Sequence, residues 1–306
     1  MNHVKKMVIF KLIFFIALTA CNGPINEKAS TPTPTVDVPD SAPWTQIPNT
    51  PISKTEMPVF QPTPTPFSVG TEISSLPTGP LTIVAIGDSL TQGDGDESGQ
   101  GGYPARLNIL ISSRRPGSQL INLGKSGWTS SDLLNGVNGE AAIIPQALAA
   151  NPDIAVVWIG SNDLWYLYEY GPDPMTVEAE QQDLVQFQAN IESIISQLTG
   201  SGARVFIALL DDQSKRPVVA NPSDPAQPAF PATTTKDLTL MSAHVLAFNE
   251  IIQKIATQYN AVTVDFYHTD IFSNPATLYS DGNHPNTTGY EIITKAWFDA
   301  IQPGIK

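Results

Sequence analysis

The chain has 306 residues, 41% of them apolar, with 27 prolines, 16 basic and 29 acidic side chains and a net charge of −13. That is enough apolar mass for one globular core with length to spare. The charge repels the phosphates a nucleic-acid binder must grip, so no nucleic-acid partner is expected. A single cysteine forbids an intrachain disulfide, and with four histidines it leaves no cluster at zinc-ligand spacing, so no structural metal is expected. No other cofactor is expected either.

Lys5, Lys6 and Lys11 precede the apolar run Leu12 to Leu18, and Thr19 and Ala20 follow it. This is the order of a signal peptide, and the run is too short to span a bilayer. Residues 1–20 are therefore expected to direct export. Leu18-Thr19-Ala20-Cys21 resembles the bacterial lipobox, which implies that Cys21 becomes the first mature residue and carries acyl chains. The membrane is then a partner, and the product sits in the cell envelope, anchored outside the cytoplasmic membrane. Between Asn22 and Pro80 lie 13 of the 27 prolines, in Thr-Pro runs without apolar periodicity. Such a segment buries too little to offset its ordering entropy, and residues 21–80 are expected to be a tether.

The whole charge imbalance falls in residues 81–306, with 11 basic against 24 acidic side chains. Leu81 to Ile86, Leu120 to Leu123, Ile154 to Ile159 and Val205 to Leu210 are short apolar runs that stop at Gly or Asp, as buried strands do. Helices are expected over Pro104 to Arg115, in two pieces between Ser130 and Ala150, and from Asp183 to Leu198, where apolar residues recur every three or four positions. Another runs from Leu238 to Tyr259, Ala261 to Val264 is a fifth strand, and Thr287 to Ile301 closes the chain. Strand and helix alternate, which predicts a parallel sheet covered on both faces, with its ligand site beyond the carboxyl ends of the strands.

Chemistry-bearing residues collect at those ends. Ser89, in Gly87-Asp88-Ser89-Leu90, follows the first strand, where a capping residue or an exposed nucleophile would stand. Asp281 lies three residues before His284, a spacing that lets a carboxylate hold one ring nitrogen while the other faces a serine. His244 sits in a helical, apolar stretch and His268 remains a reserve base after the fifth strand. Gly127 after the second strand and Asn162 after the third offer a backbone N–H and an amide suited to an oxyanion. Gly124-Lys125-Ser126 is not a phosphate loop, because that pattern needs Gly where Gln119 stands. Nor does the Gly-x-Ser-x-Gly elbow of α/β-hydrolases occur around Ser89.

Gly87-Asp88-Ser89-Leu90, Ser126-Gly127, Gly160-Ser161-Asn162-Asp163 and Asp281-Gly282-Asn283-His284-Pro285, in this order over residues 82 to 290, resemble the four blocks of the SGNH (GDSL-type) hydrolases. The resemblance implies a three-layer α/β/α sandwich with a five-stranded parallel sheet and no metal. It also implies that Ser89 is the nucleophile, His284 the base and Asp281 its partner, with Ser89 N–H, Gly127 N–H and the Asn162 amide as the oxyanion hole. The expected function is hydrolysis of short-acyl or acetyl esters, polysaccharide acetyl groups among them. A lipase or lysophospholipase, or a catalytically silent carbohydrate-binding lipoprotein, are the alternatives. Trp128 and Trp165 are the expected substrate-binding aromatics, near Tyr166, Tyr168 and Tyr170, and the Pro-rich stretch 214–235 is expected to wall the site.

Overall fold

The computed structural model describes residues 76–171, 175–220 and 235–305. The segment expected to direct export, the expected anchor Cys21, most of the expected tether and residues 221–234 of the Pro-rich stretch lie outside these. Five strands form one parallel sheet, β1 (Thr82–Gly87), β2 (Gln119–Gly124), β3 (Ile154–Trp158), β4 (Arg204–Leu209) and β5 (Val262–Asp265), in the order β2-β1-β3-β4-β5. Each coincides with an apolar run to within a residue. Between them come α1 (Ser89–Gln92), α2 (Gly102–Arg114), α3 (Ser130–Asn135), α4 (Ile143–Ala149), α5 (Ser161–Tyr170), α6 (Val177–Gly200), α7 (Pro217–Ala220), α8 (Thr235–Gln258) and, after β5, α9 (Thr287–Ile301).

The chain steps outward from β1 to β2, then back past β1 to β3 and onward. Right-handed crossovers therefore put α2 on one face and α4, α6 and α8 on the other, and α9 packs beside α2 to complete three layers. Central β3 is buried throughout, whereas β2, at an edge, is half-exposed. Under α9, Trp158 stacks on Phe266 with centroids 4.1 Å apart and meets Trp297 edge-on at 6.0 Å. On the opposite face Phe187 of α6 stacks on Phe248 of α8 at 3.7 Å. Aromatic area of this size dominates core energetics.

No element is expected over the Trp- and Tyr-rich stretch that forms helix α5, where Leu164 is buried on the inner side and Trp165 and Tyr168 pack against the core. Helix α6 starts six residues before Asp183, because Thr176 caps it by accepting from Ala179 N–H and Glu178 and Glu180 complement its first turn. Where the Pro-rich stretch begins, Gln213–Lys215 forms a 3₁₀ turn and α7 follows.

Register sets the site. Gly87 pairs with both Gly124 and Trp158, so β1, β2 and β3 end side by side, and the strand order reverses between β1 and β3. That is where a doubly wound sheet opens a crevice. A Cβ on Gly87 would lie 2.1 Å from the Trp158 carbonyl oxygen and 2.4 Å from Thr91 Oγ1. Only glycine lets α1 turn so tightly off the strand.

Candidate active site

Ser89 is the first residue of α1, held at the strand end by Asp88, whose Oδ1 accepts from Leu90 N–H at 3.0 Å. His284 comes from the loop before α9. There Asp281 Oδ1 accepts from the N–H groups of Asn283 and His284, both at 2.9 Å, while Oδ2 is 2.6 Å from His284 Nδ1. The three-residue spacing thus folds the loop around one carboxylate, with one oxygen for the backbone and one for the ring. A backbone bond, Tyr279 N–H to the His284 carbonyl at 2.8 Å, fixes the loop's return. With Nδ1 facing the carboxylate, Nδ1 carries the ring proton and Nε2 is the acceptor. Nε2 lies 3.0 Å from Ser89 Oγ. Burial alone would raise the Asp281 pKa, but the ring and backbone donors outweigh it and leave this carboxyl below its usual range.

Gly127 sits in a tight turn closed by Trp128 N–H to Lys125 carbonyl at 3.2 Å, with φ +79°, a left-handed position that favours glycine. The turn is clamped to the end of α1. Ser126 N–H donates to Gln92 Oε1 at 2.8 Å and Ser126 Oγ to Asp94 Oδ2 at 2.7 Å. From the other side Tyr166 Oη donates to the Gly127 carbonyl at 2.8 Å, and Asn162 Nδ2, near the start of α5, donates to the Trp128 carbonyl at 2.9 Å. That carbonyl occupies one of the two amide hydrogens of Asn162. Asp96 braces the loop that leads from α1 to α2: it takes Arg106 Nη1 at 2.6 Å, Arg106 Nη2 at 3.0 Å and Gly102 N–H at 2.9 Å.

The structure therefore brings Ser89, His284 and Asp281 into one hydrogen-bonded chain and fixes Gly127 and Asn162 across adjoining strand ends. The other histidines stand apart. His268 pairs with Asp265 at 2.7 Å with its side chain 78% exposed, and His244 is buried in α8 against Asp183 at 2.9 Å. Trp128 corrects an expectation. It is 6% exposed and belongs to the core, so it presents no open face, whereas Trp165 is half-buried and packs against that core. Among the aromatics that follow β2 and β3, the exposed rings are Tyr166, at 39%, and Tyr170, at 72%, with centroids 5.7 Å apart. Their signal in the sequence was there, but choosing among five neighbouring aromatics needs the helical phase of α5.

Asp88 is fully buried and its Oδ2 has no hydrogen-bond partner among the described residues. Burial pushes its pKa up to about 6, against the pull of Leu90 N–H, Arg216 and His284. Because the folded value lies above the unfolded 3.8, the stability this group contributes is present below pH about 4 and lost as pH rises through about 6. In denaturant unfolding across pH 4 to 8, the wild type should lose about 3 kcal/mol relative to Asp88→Asn. A pH-independent difference between the two would contradict the burial argument.

The model of the GDSL-like Lipase/Acylhydrolase family matches residues 85–292, a span that contains all five of these positions. An uncharacterized protein, YpmR, from Bacillus subtilis is 26% identical over 230 residues, 72% of this chain and 82% of that one. An acetylxylan esterase from Geobacillus stearothermophilus is 24% identical over 233 residues, 72% of this chain and 93% of its own length. The crystal structure of Axe2, an acetylxylan esterase from that organism, superposes with a TM-score of 0.51 at 22% identity, covering 73% of this chain and 95% of Axe2, and so shares the fold. The chain belongs to the GDSL-like lipase/acylhydrolase family and is a carboxylic ester hydrolase.

Proposed function

We propose that the protein is a serine esterase in which Ser89 is the nucleophile, His284 the general base and Asp281 the group that orients it. The observation that carries this reading is the continuous chain from Asp281 Oδ2 through His284 to Ser89 Oγ, with separations of 2.6 and 3.0 Å. His284 Nε2 takes the hydroxyl proton as Ser89 Oγ attacks the acyl carbon. The N–H groups of Ser89 and Gly127 and the second amide hydrogen of Asn162 receive the charge on the carbonyl oxygen. The Nε2 proton then passes to the departing alcohol, and water, activated by the same ring, releases the acid and restores Ser89.

The substrate class we assign is a short-acyl ester, an acetyl group on a polysaccharide. The acetylxylan esterase among the relatives supports it, as do Tyr166, tied to the Gly127 carbonyl, and Tyr170 beside it, exposed rings on which a sugar can stack. Acetate release from acetylated xylan should accompany hydrolysis of p-nitrophenyl acetate, and Tyr170→Ala should raise KM on the polymer about 3- to 10-fold while changing p-nitrophenyl acetate little. Preference for acyl chains of about eight carbons, with no acetate released, would instead indicate a lipase, since each buried CH₂ contributes about 0.8 kcal/mol. Binding of xylan without turnover of any ester would indicate the silent carbohydrate-binding alternative.

The same proposal places the enzyme on a lipid anchor at Cys21, with the Pro/Thr-rich segment as tether. The full chain expressed in a bacterium should fractionate with membranes and carry acyl mass, and Cys21→Ser should abolish both. Unchanged mass and fractionation in that variant would remove the anchor from the account.

A further inference from the structure

Beside His284 lies a buried ion pair that the chemistry above does not use. Arg216, between the turn after β4 and α7, is 2% exposed and grips Asp211 with two bonds, Nε to Oδ2 at 2.8 Å and Nη2 to Oδ1 at 2.7 Å. Its guanidinium stands 4.5 Å over the ring of Phe272. Removing two charges from water offsets most of what their attraction returns, so such a pair is weak evidence of a stabilising role. It does hold a rigid fork in one orientation. The remaining arm, Nη1, donates to Asn283 Oδ1 at 2.7 Å.

That bond settles which way the Asn283 carboxamide faces. Its oxygen must meet the cation, so Nδ2 faces the other way, 3.4 Å from His284 Nε2. The separation is long for a bond to the ring in the resting enzyme. It instead leaves an N–H donor next to Nε2, the atom that itself lies 3.0 Å from Ser89 Oγ. The Asn283 backbone N–H, bound to Asp281 Oδ1 at 2.9 Å, secures the residue at its other end.

We infer that Asn283 is a further catalytic residue, a donor to the leaving-group oxygen, and that Arg216 and Asp211 are its positioning residues. The inference rests on the reading of His284 as the base. When the tetrahedral intermediate breaks, the bond from the acyl carbon to the alcohol oxygen is cleaved and its electron pair stays on that oxygen. The Nε2 proton moves onto it. Asn283 donates a hydrogen bond to the same oxygen and transfers no proton. The contribution grows with the charge the oxygen must carry, so it is small for a p-nitrophenolate and large for an alkyl alcohol or a sugar hydroxyl.

The test compares kcat/KM, which reports acylation, for ethyl acetate and p-nitrophenyl acetate in the full chain. Asn283→Ala should lose at least about 10-fold more on ethyl acetate than on p-nitrophenyl acetate, the scale of a lost bond to a charged oxygen. Asn283→Asp keeps an acceptor for Arg216 and replaces the donor with a charge that repels the negative charge developing on the departing oxygen, so its split should be as wide or wider. Equal losses on the two esters would reduce Asn283 to a support for the ring and overturn the inference, as would no loss on either. Ser89→Ala assayed in parallel separates the two levels: activity surviving there overturns the assignment of Ser89 and His284 and the inference with it, whereas activity lost there with equal losses in Asn283→Ala overturns the inference alone.

Discussion

Ser89→Ala should lower the rate of p-nitrophenyl acetate hydrolysis by about 10³-fold or more while leaving the fold intact. The hydroxyl is half-buried and its bond to His284 Nε2 is a functional contact at the rim, so its loss opens no cavity in the core. Thermal unfolding of the variant should stay close to that of the wild type, which separates lost chemistry from lost structure. His284→Ala should fall to a similar floor, and the double variant no further, because nucleophile and base act as a unit. Full activity in Ser89→Ala would remove the serine mechanism.

Asn162→Ala should cost about 10²- to 10³-fold in kcat with a smaller change in KM, the pattern of a donor that acts on the charge developing in the transition state. Part of the loss arises indirectly. Asn162 Nδ2 pins the Trp128 carbonyl, so truncation also loosens the turn that presents Gly127 N–H, and about 1 kcal/mol of stability should go with that bond. Tyr166→Phe distinguishes the two contributions: it removes another tether of the turn, the one to the Gly127 carbonyl, and leaves the Asn162 amide in place. A kcat loss in Tyr166→Phe as large as that in Asn162→Ala would mean that turn rigidity, not the amide hydrogen, is what matters.

Much of this was legible before any coordinates because β-branched runs that stop at glycine mark buried parallel strands, and catalytic groups cluster where such strands end. The pairing of Asp281 with His284 is local, closed within one four-residue loop, and spacing alone conveys it. Contacts between distant segments are another matter. Nothing in the spacing of Asn283 and Arg216 announces that they meet, since the bond forms only once the segment after β4 and the loop before α9 arrive at the same rim. Helix α5 was obscured because Trp and Tyr favour strands in isolation, and its helical phase, set by Leu164 against the core, decides that Tyr166 and Tyr170 face outward while Trp165 packs inward. Trp128 follows a glycine turn, where an exposed ring is a reasonable expectation, but the turn folds back over the core and buries it.

The central claim is that Ser89 carries the acyl group between the two half-reactions. Its most direct test is labelling of the full chain with a fluorophosphonate, which traps serines activated by a neighbouring base, followed by mass mapping of the adduct. The account predicts one adduct, on the peptide containing Ser89, with activity lost in proportion to labelling and no adduct in Ser89→Ala. An adduct on a different serine, or esterase activity that survives complete labelling of Ser89, would contradict it.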